Sequence, residues 1–341
     1  MKYAIFATAR NEKFIIEWVN YYIRLGFNYF IVYDDLSDKP IQEVFEENNI
    51  DKVIYKIYRN NSHANLYDNL HQAFTQHISN SNMLWKNTII PELLQNNIDF
   101  VFQIDIDEFL FLNNFKNIDN LVQNYMPLDV LKINWLLFGS NNIFNNTSDS
   151  IINTFNKSET KLCKATGGLK SLTRVSKIHM EETQYGPHCL PILKNSIVKD
   201  IFNNIIPCYD KITEATPFLS KNDSYSNNIY IAHYACQDLK TFVKRKFTNK
   251  NNVQWMLSNF IKFKTRKEAY DCVDFIDSNF HDFTEYFYLK KNKLTNEKTN
   301  KFEEKLTIPI NYINNMIEFF RFFDRNQEEN NDIIRFHASF V

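Results

Sequence analysis

Asp105, Asp107 and Glu108 place three carboxylates within four positions inside the almost wholly apolar run Ile98–Leu112. An apolar run of this kind predicts a strand buried on both faces. In an extended chain, positions i and i+2 point the same way. Asp105 and Asp107 are therefore expected to emerge together where the strand leaves its sheet. Two carboxylates so placed repel each other, and a hard divalent cation relieves that repulsion. A cation with few protein ligands keeps open positions for phosphate oxygens, which points to chemistry on a phosphorylated nucleotide. The competing explanation is an inert, solvated acidic turn.

Other polar residues could join such a site. Asp34 and Asp35, with Ser37 and Asp38, could accept hydrogen bonds from a ribose hydroxyl or a base amide, although Asp38 also suits a helix cap. Arg10-Asn11-Glu12 offers a phosphate ligand in Arg10, or a plain Arg10–Glu12 surface pair. His233 ends the apolar stretch Ile229–Ala232, where an imidazole could complete a metal shell, and His188 lies in the turn-prone Tyr185–Cys189. Lys170 and Arg174 share one face of a predicted strand and could steady a diphosphate.

The elements that must position these residues alternate between strand and helix. Tyr3–Ala7 reads as a first strand. Phe14, Ile15, Trp18, Val19, Tyr22 and Leu25 then repeat at helical spacing, with Gly26 as the stop. Tyr29–Tyr33 is a second strand, followed by a helix opening near Pro40 with Asp38 as its cap. Val53–Tyr58 is a third strand, Leu66–His77 a helix, and Phe100–Ile104 the strand that delivers the aspartates. Strand–helix alternation predicts a mainly parallel sheet with helices on both faces, and ligands bind beyond the carboxyl ends of such strands. The loops Arg10–Glu12, Asp34–Asp38 and Asp105–Glu108 should thus converge on one sheet edge. Strands are expected again at Val130–Phe138, Leu169–Ile178 and Ile229–Tyr234, with a long loop over Asn141–Lys161. Helices opening at Leu239 and around Ile313 belong to a charged, helical C-terminal segment.

Composition bounds the possibilities. The 341 residues suit one large α/β domain with appendages or two domains, and 44% hydrophobic content is ample for a core. A net charge of -1 gives no electrostatic case for nucleic acid, although Lys244-Arg245-Lys246 is a local anion-site candidate. The five cysteines are odd in number and form no C-x-x-C pair, which favours a reduced setting over disulfides or structural zinc. No stretch approaches the roughly 20 apolar residues of a membrane span. The expectation is a soluble, cytoplasmic protein.

Taken in order, several of these pieces resemble a known group. Ala-Thr-Ala-Arg-Asn-Glu, Glu17-Trp18 with Tyr21 and Tyr22, Leu25-Gly26 and Tyr33–Asp38 look like the opening of GT-A glycosyltransferases of the family 92 and family 2-like group. Ile104–Phe109 is similar to that group's D-x-D-E-F motif, and Trp135–Ser140 to its W-x-x-F-G-S. Lys170-Ser171 with Arg174, then His188, then His233-Tyr234 with Phe242 and Lys246, resemble later elements. The likeness runs over about residues 3–246. It departs at Asp35, where Asn is usual, between Arg59 and Trp85, and over the last hundred or so residues.

The resemblance implies a GT-A, Rossmann-like αβα sandwich as a catalytic domain over residues 1–245, with a helical extension over 246–341. It implies a nucleotide-sugar donor, UDP-linked, a glycan or protein acceptor, and Mn²⁺ or Mg²⁺. Asp105, Asp107 and His233 would be the metal residues. The donor set would be Ala9, Arg10, Asn11, Glu12, Asp34, Asp35, Asp105, Ile106, Lys170 and His188. An inverting reaction needs a general base, for which Glu182, Glu181 and Asp210 are the candidates, with Asp149 as another.

Two rival classes remain. A phosphohydrolase with an opening-strand D-x-D would place the motif near the N-terminus, with Thr or Val where Phe109 stands. A nucleotidyltransferase would want glycines that Thr8–Lys13 lacks. The second rival is a degenerate, non-catalytic glycan-binding member.

Overall fold

The computed structural model describes residues 1–35, 37–59, 83–159, 168–180, 189–206, 229–247, 274–294, 300, 302–303, 310–324 and 327–329. Strands β1 (Tyr3–Ala9), β2 (Tyr29–Asp34), β3 (Tyr55–Arg59) and β4 (Phe100–Gln103) lie side by side in the order β3-β2-β1-β4, all parallel. Beyond β4 the sheet is mixed. Strand β8 (Leu169–Arg174) runs antiparallel to both β4 and β6 (Val130–Leu137). Strand β10 (Ile229–His233) is parallel to β6 and antiparallel to β5 (Glu108–Leu112), which ends the path. A short β9 (Val198–Asp200) also pairs with β6. The α/β class and the mainly parallel, Rossmann-like sheet are as expected: β6, β9 and β10 run the same way as the first four strands, and β8 and β5 are the antiparallel exceptions.

Alternation along β1 shows why both faces carry helices. Tyr3, Ile5, Ala7 and Ala9 join one apolar cluster, whereas Ala4 and Phe6 join another. Helices α1 (Ile15–Arg24), α2 (Ile41–Glu47) and α4 (Ile118–Tyr125) cover the first face. Helix α3 (Ile90–Gln95), with Trp85 and Ile89 before it, covers the second. Each large side chain buried in this way contributes about 1.5–3 kcal/mol. Helix α1 ends as its sequence predicts. Gly26 adopts φ +94°, its N–H bonds to Ile23 O at 3.0 Å, and Phe27 N–H bonds to Tyr22 O at 3.0 Å. That pairing closes the helix with a left-handed residue that glycine adopts without steric cost.

Several expected boundaries shift. The run 98–112 is two strands, not one. Strand continuity is broken at Ile104–Asp107, where Glu108 N–H bonds back to Asp105 O at 3.1 Å. Residues 52–54 form a 3₁₀ turn capped by Asp51 before β3 starts, and the strand from Leu169 ends at Arg174. Asp38 does not cap α2. Asp34 does so from within β2, accepting from Ser37 N at 2.8 Å and Ile41 N at 3.2 Å. The loop after β6 contains a one-turn helix, α5 (Ile151–Thr154), whose entry is capped by Ser150 and by Glu17 of α1. The helix expected over Leu66–His77 lies outside the described residues.

Helix α6 (Leu239–Phe247) crosses the expected domain boundary at 245/246. Its Leu239, Phe242, Val243 and Phe247 share an apolar cluster with Phe283 and Phe287 of α7 (Phe280–Lys291) and with Ile313, Met316 and Phe320 of α8 (Ile310–Asp324). Asp324 accepts from Ser140 N at 2.6 Å, and β11 (Gln327–Glu329) pairs with β7 (Lys157–Glu159). Among the described residues no helix is long and apolar enough to cross a membrane.

Glu92 on α3 ties its layer to the sheet. It accepts from Tyr29 of β2, and from Tyr58 of β3 at 2.8 Å. Burial works to raise its carboxyl, but the Tyr29 and Tyr58 hydroxyls outweigh that and hold it below the usual range. A depressed carboxyl stabilises the fold above its unfolded pKa, and that stabilisation disappears as pH falls through the folded value. Glu92→Gln should therefore cost about 1 kcal/mol at pH 7. Urea denaturation should show the difference from wild type shrinking as the buffer is taken toward pH 3.

Candidate functional site

Three loops meet at the carboxyl ends of β1, β2 and β4, as the strand order requires. Asn11, with φ 53°, donates its N–H to Ser37 Oγ at 3.0 Å and its Nδ2 to Asp38 Oδ2 at 3.2 Å. Asp35 N–H bonds to Ala9 O at 2.9 Å, and Arg10 lies 3.8 Å from Asp35. The Arg10–Glu12 pair considered from sequence is not formed; Glu12 faces Arg245 instead. Asp34 is fully buried, and Arg59 holds its Oδ2 at 2.7 Å. Both Asp34 oxygens serve the α2 cap and Arg59, so its role in this structure is to fix the loop. Asp35 is the partly exposed member of the pair.

Helix α1 grips the acidic turn between β4 and β5. Trp18 Nε1–H donates to Asp105 O at 3.1 Å. Tyr22 Oη donates to Glu108 O at 3.1 Å and accepts from Leu110 N at 2.9 Å, while Tyr21 Oη donates to Leu110 O at 2.6 Å. Glu108, fully buried, accepts the Asp105 N–H at 2.9 Å and so braces the turn from inside. From the β10 side, Tyr234 N–H bonds to Asp107 O at 2.8 Å.

The two aspartates do not emerge side by side, because the backbone turns between them. The Asp105 side chain is 52% exposed and accepts from Lys170 Nζ at 2.8 Å; that of Asp107 is only 7% exposed. Asp107 Oδ2 pairs with Arg245 Nη1 at 3.0 Å, and its Oδ1 lies 3.8 Å from His233 Nε2. Two protein cations, Lys170 and Arg245, thus share in relieving the repulsion among the carboxylates. Lys170 is buried beneath Trp135, 5.8 Å from the ring centroid, and lies 3.5 Å from Glu108. Burial disfavours its charge, yet Asp105 and Glu108 more than compensate and keep it protonated.

The same balance decides the other groups. Burial works to raise the Asp107 carboxyl, but Arg245 and His233 hold it below the usual range, so it is ionised. Burial pushes the His233 imidazole down to about 4, leaving it neutral at physiological pH and able to ligate a metal. Burial raises Glu12 and, more strongly, Glu108. Burial and the neighbouring Arg245 lower Lys246.

An ionised carboxylate and a neutral imidazole facing each other at 3.8 Å form a donor pair of the kind Mn²⁺ accepts. His233 Nδ1 and Glu108 Oε1 are buried without a hydrogen-bond partner in the structure. No cluster of three or more His, Cys, Asp or Glu suited to a metal occurs among the described residues. The donor set therefore fits a cation held by two protein ligands, with the remaining positions open. Asp105 stands on the same turn, engaged with Lys170.

Other residues flagged from sequence fall elsewhere. Ala9 and Ile106 have buried side chains in the core and can offer only backbone. Arg174 sits at the opposite end of its strand, bonded to Leu128 O at 2.8 Å and Asp129 at 3.0 Å, so it does not join Lys170. Asp149 is on an exposed loop. His188, Glu181, Glu182 and Asp210 lie outside the described residues. Two residues went unrecognised as neighbours of the aspartates. Arg245 was visible only as part of a basic run. Trp135, whose ring centroid is 4.3 Å from that of His233, was noted only as part of a motif.

No protein-family model matches the chain, and no curated protein matches it, so the family 92 and family 2-like resemblance has no support from either. Among solved structures, core-mannan synthase A (CmsA/Ktr4) from Aspergillus fumigatus, in an Mn/GDP form, aligns with TM-score 0.26 and 13% identity over 42% of this chain and 44% of its own. The mannosyltransferase Ktr4p from S. cerevisiae, in complex with GDP, aligns with TM-score 0.27 and 12% identity over 41% of this chain and 42% of its own. The chain spans less than half the length of either, and alignments this weak carry no argument about activity.

The grip of α1 on the turn is testable. Trp18→Phe keeps an aromatic ring in the core but removes the bond to Asp105 O. It should cost about 1 kcal/mol in urea denaturation. Amide hydrogen exchange at Glu108, whose N–H closes the turn, should accelerate by more than exchange in β1, which follows the global loss alone.

Proposed function

We propose that this chain is a metal-dependent glycosyltransferase that moves a sugar from a nucleoside-diphosphate donor, UDP-linked as the sequence resemblance implies, to a glycan or protein acceptor. One observation supports the reading above the others. At the carboxyl edge of the parallel strands, ionised Asp107 faces neutral His233, with Lys170 and Arg245 on either side. That edge is where open α/β sheets bind nucleotides.

Asp107 and His233 would hold Mn²⁺ or Mg²⁺. When bound, such an ion supplies Lewis-acid neutralisation of the diphosphate as its bond to the sugar breaks. Asp105 would contact the ribose or a metal-bound water, and Lys170, too deeply buried for ready contact with a donor, would fix the position of Asp105. Arg10, Asn11 and Asp35 line the adjoining loops and would hold the nucleoside, while Asp34 keeps those loops in register. The base of an inverting reaction would come from Glu181, Glu182 or Asp210. It would accept the acceptor hydroxyl's proton as that oxygen attacks the anomeric carbon and the nucleoside diphosphate departs.

A panel of UDP- and GDP-sugars, incubated with and without Mn²⁺, should release the nucleoside diphosphate from one donor only when metal is present. Release of inorganic phosphate from small monoesters would instead mark a phosphohydrolase, and binding without turnover a glycan-binding module.

Asp107→Asn should weaken Mn²⁺ binding by at least about tenfold. Saturating Mn²⁺ plus the nucleoside diphosphate at about 100 times its Kd should stabilise wild type by about 2.7 kcal/mol, and this variant by far less. Wild-type affinity in Asp107→Asn, measured by calorimetry, would remove Asp107 from the site.

A further inference from the structure

We propose that Arg245 is a diphosphate-contacting residue that opposes binding of the metal alone and favours binding of the metal–diphosphate pair. The inference rests on the donor site proposed above and deepens it. It begins from how Asp107 divides its two oxygens. Oδ1 faces His233 Nε2 at 3.8 Å, and Oδ2 pairs with Arg245 Nη1 at 3.0 Å. A cation taken up between Asp107 and His233 would therefore share its carboxylate with a guanidinium. Like charges on one carboxylate compete, so Arg245 lowers the attraction of Asp107 for a bare divalent ion.

The other end of Arg245 shows why the chain retains such a competitor. Its Nη2 lies 3.8 Å from Glu12 on the loop after β1, and the side chain is 32% exposed. The guanidinium thus spans from the metal-side carboxylate to the nucleotide-side loop. A planar fork of donors matches phosphate oxygens and can bond two of them together. A diphosphate entering between these loops brings the negative charge that relieves crowding between Arg245 and the metal. Repulsion in the metal-only state becomes attraction in the ternary state. Position on the fold supports this assignment. Arg245 sits in the last turn of α6, and Phe242, Val243 and Phe247 beside it are buried against α7 and α8, so its backbone is firmly seated.

The test compares Arg245→Gln and Arg245→Lys with wild type by calorimetry, first titrating MnCl₂ alone and then UDP or GDP in saturating MnCl₂. Arg245→Gln should bind Mn²⁺ alone about three- to tenfold tighter, because a competing charge is gone. It should bind the nucleoside diphosphate about tenfold weaker, because the fork is gone. Arg245→Lys keeps the charge, so its Mn²⁺ affinity should match wild type while its diphosphate affinity still falls. A purely structural role predicts that both affinities fall together with the melting temperature, and that result would overturn the inference. Unchanged or tighter diphosphate binding in Arg245→Gln would do the same. If Arg245→Gln does not fold, Arg245→Lys decides alone: diphosphate affinity equal to wild type overturns the inference. Wild type that binds neither Mn²⁺ nor either diphosphate would instead overturn the donor site itself, and the wild-type titrations reveal that separately.

Discussion

Four acidic side chains, Glu12, Asp105, Asp107 and Glu108, crowd around one turn, and the fold must supply cations to hold them there. Desolvating a single unpaired carboxylate costs several kcal/mol, more than an exposed ion pair returns. Lys170 answers Asp105 and Glu108 from β8, and Arg245 answers Asp107 and Glu12 from α6. Both cations come from parts of the chain far from the carboxylates they neutralise. The site therefore exists only when the parallel strands, the antiparallel β8 and the C-terminal helices are all in place.

Geometry around the turn follows from the same need. Residues 104–107 connect β4 to β5, yet the two strands stand at positions four and eight of the sheet path, so the sheet curls around this connection. Such a bend exposes backbone groups that an ordinary ladder would satisfy. Trp18, Tyr21 and Tyr22 of α1 supply hydrogen bonds on one side, Tyr234 N–H on another, and the Glu108 carboxylate from within. Three aromatic side chains of one helix turn thus serve two purposes, filling the core and fixing the backbone that presents Asp105 and Asp107. The C-terminal helices have a comparable double use, since the apolar cluster that seats α6 also aims Arg245.

Much of this was legible from the amino-acid order. Periodicity located β1, β2, β4, β6, β10 and α1, and Gly26 marked the end of α1, because burial on one face or two imposes a repeat that the sequence must display. The convergence of the loops after β1, β2 and β4 followed from strand–helix alternation alone. The run 98–112 was misjudged, because two strands joined by a tight turn and one long strand both read as continuous apolar sequence. The role of Asp34 was open as well: a carboxylate that caps a helix and one that meets a ligand have the same identity and the same neighbours in the chain.

Residue types and local spacing therefore determined the α/β class and the edge where polar loops gather, and they singled out Asp105, Asp107 and His233 as candidates. Tertiary structure alone decided that Asp105 and Asp107 face different partners, that Lys170 is buried while Arg174 sits at the far end of β8, and that Arg245 reaches Asp107. The reason is one of range. A hydrophobic repeat is a local property, felt over a few residues, whereas charge compensation depends on distance in space, and nothing in the sequence records which distant cation a fold will bring to a given carboxylate.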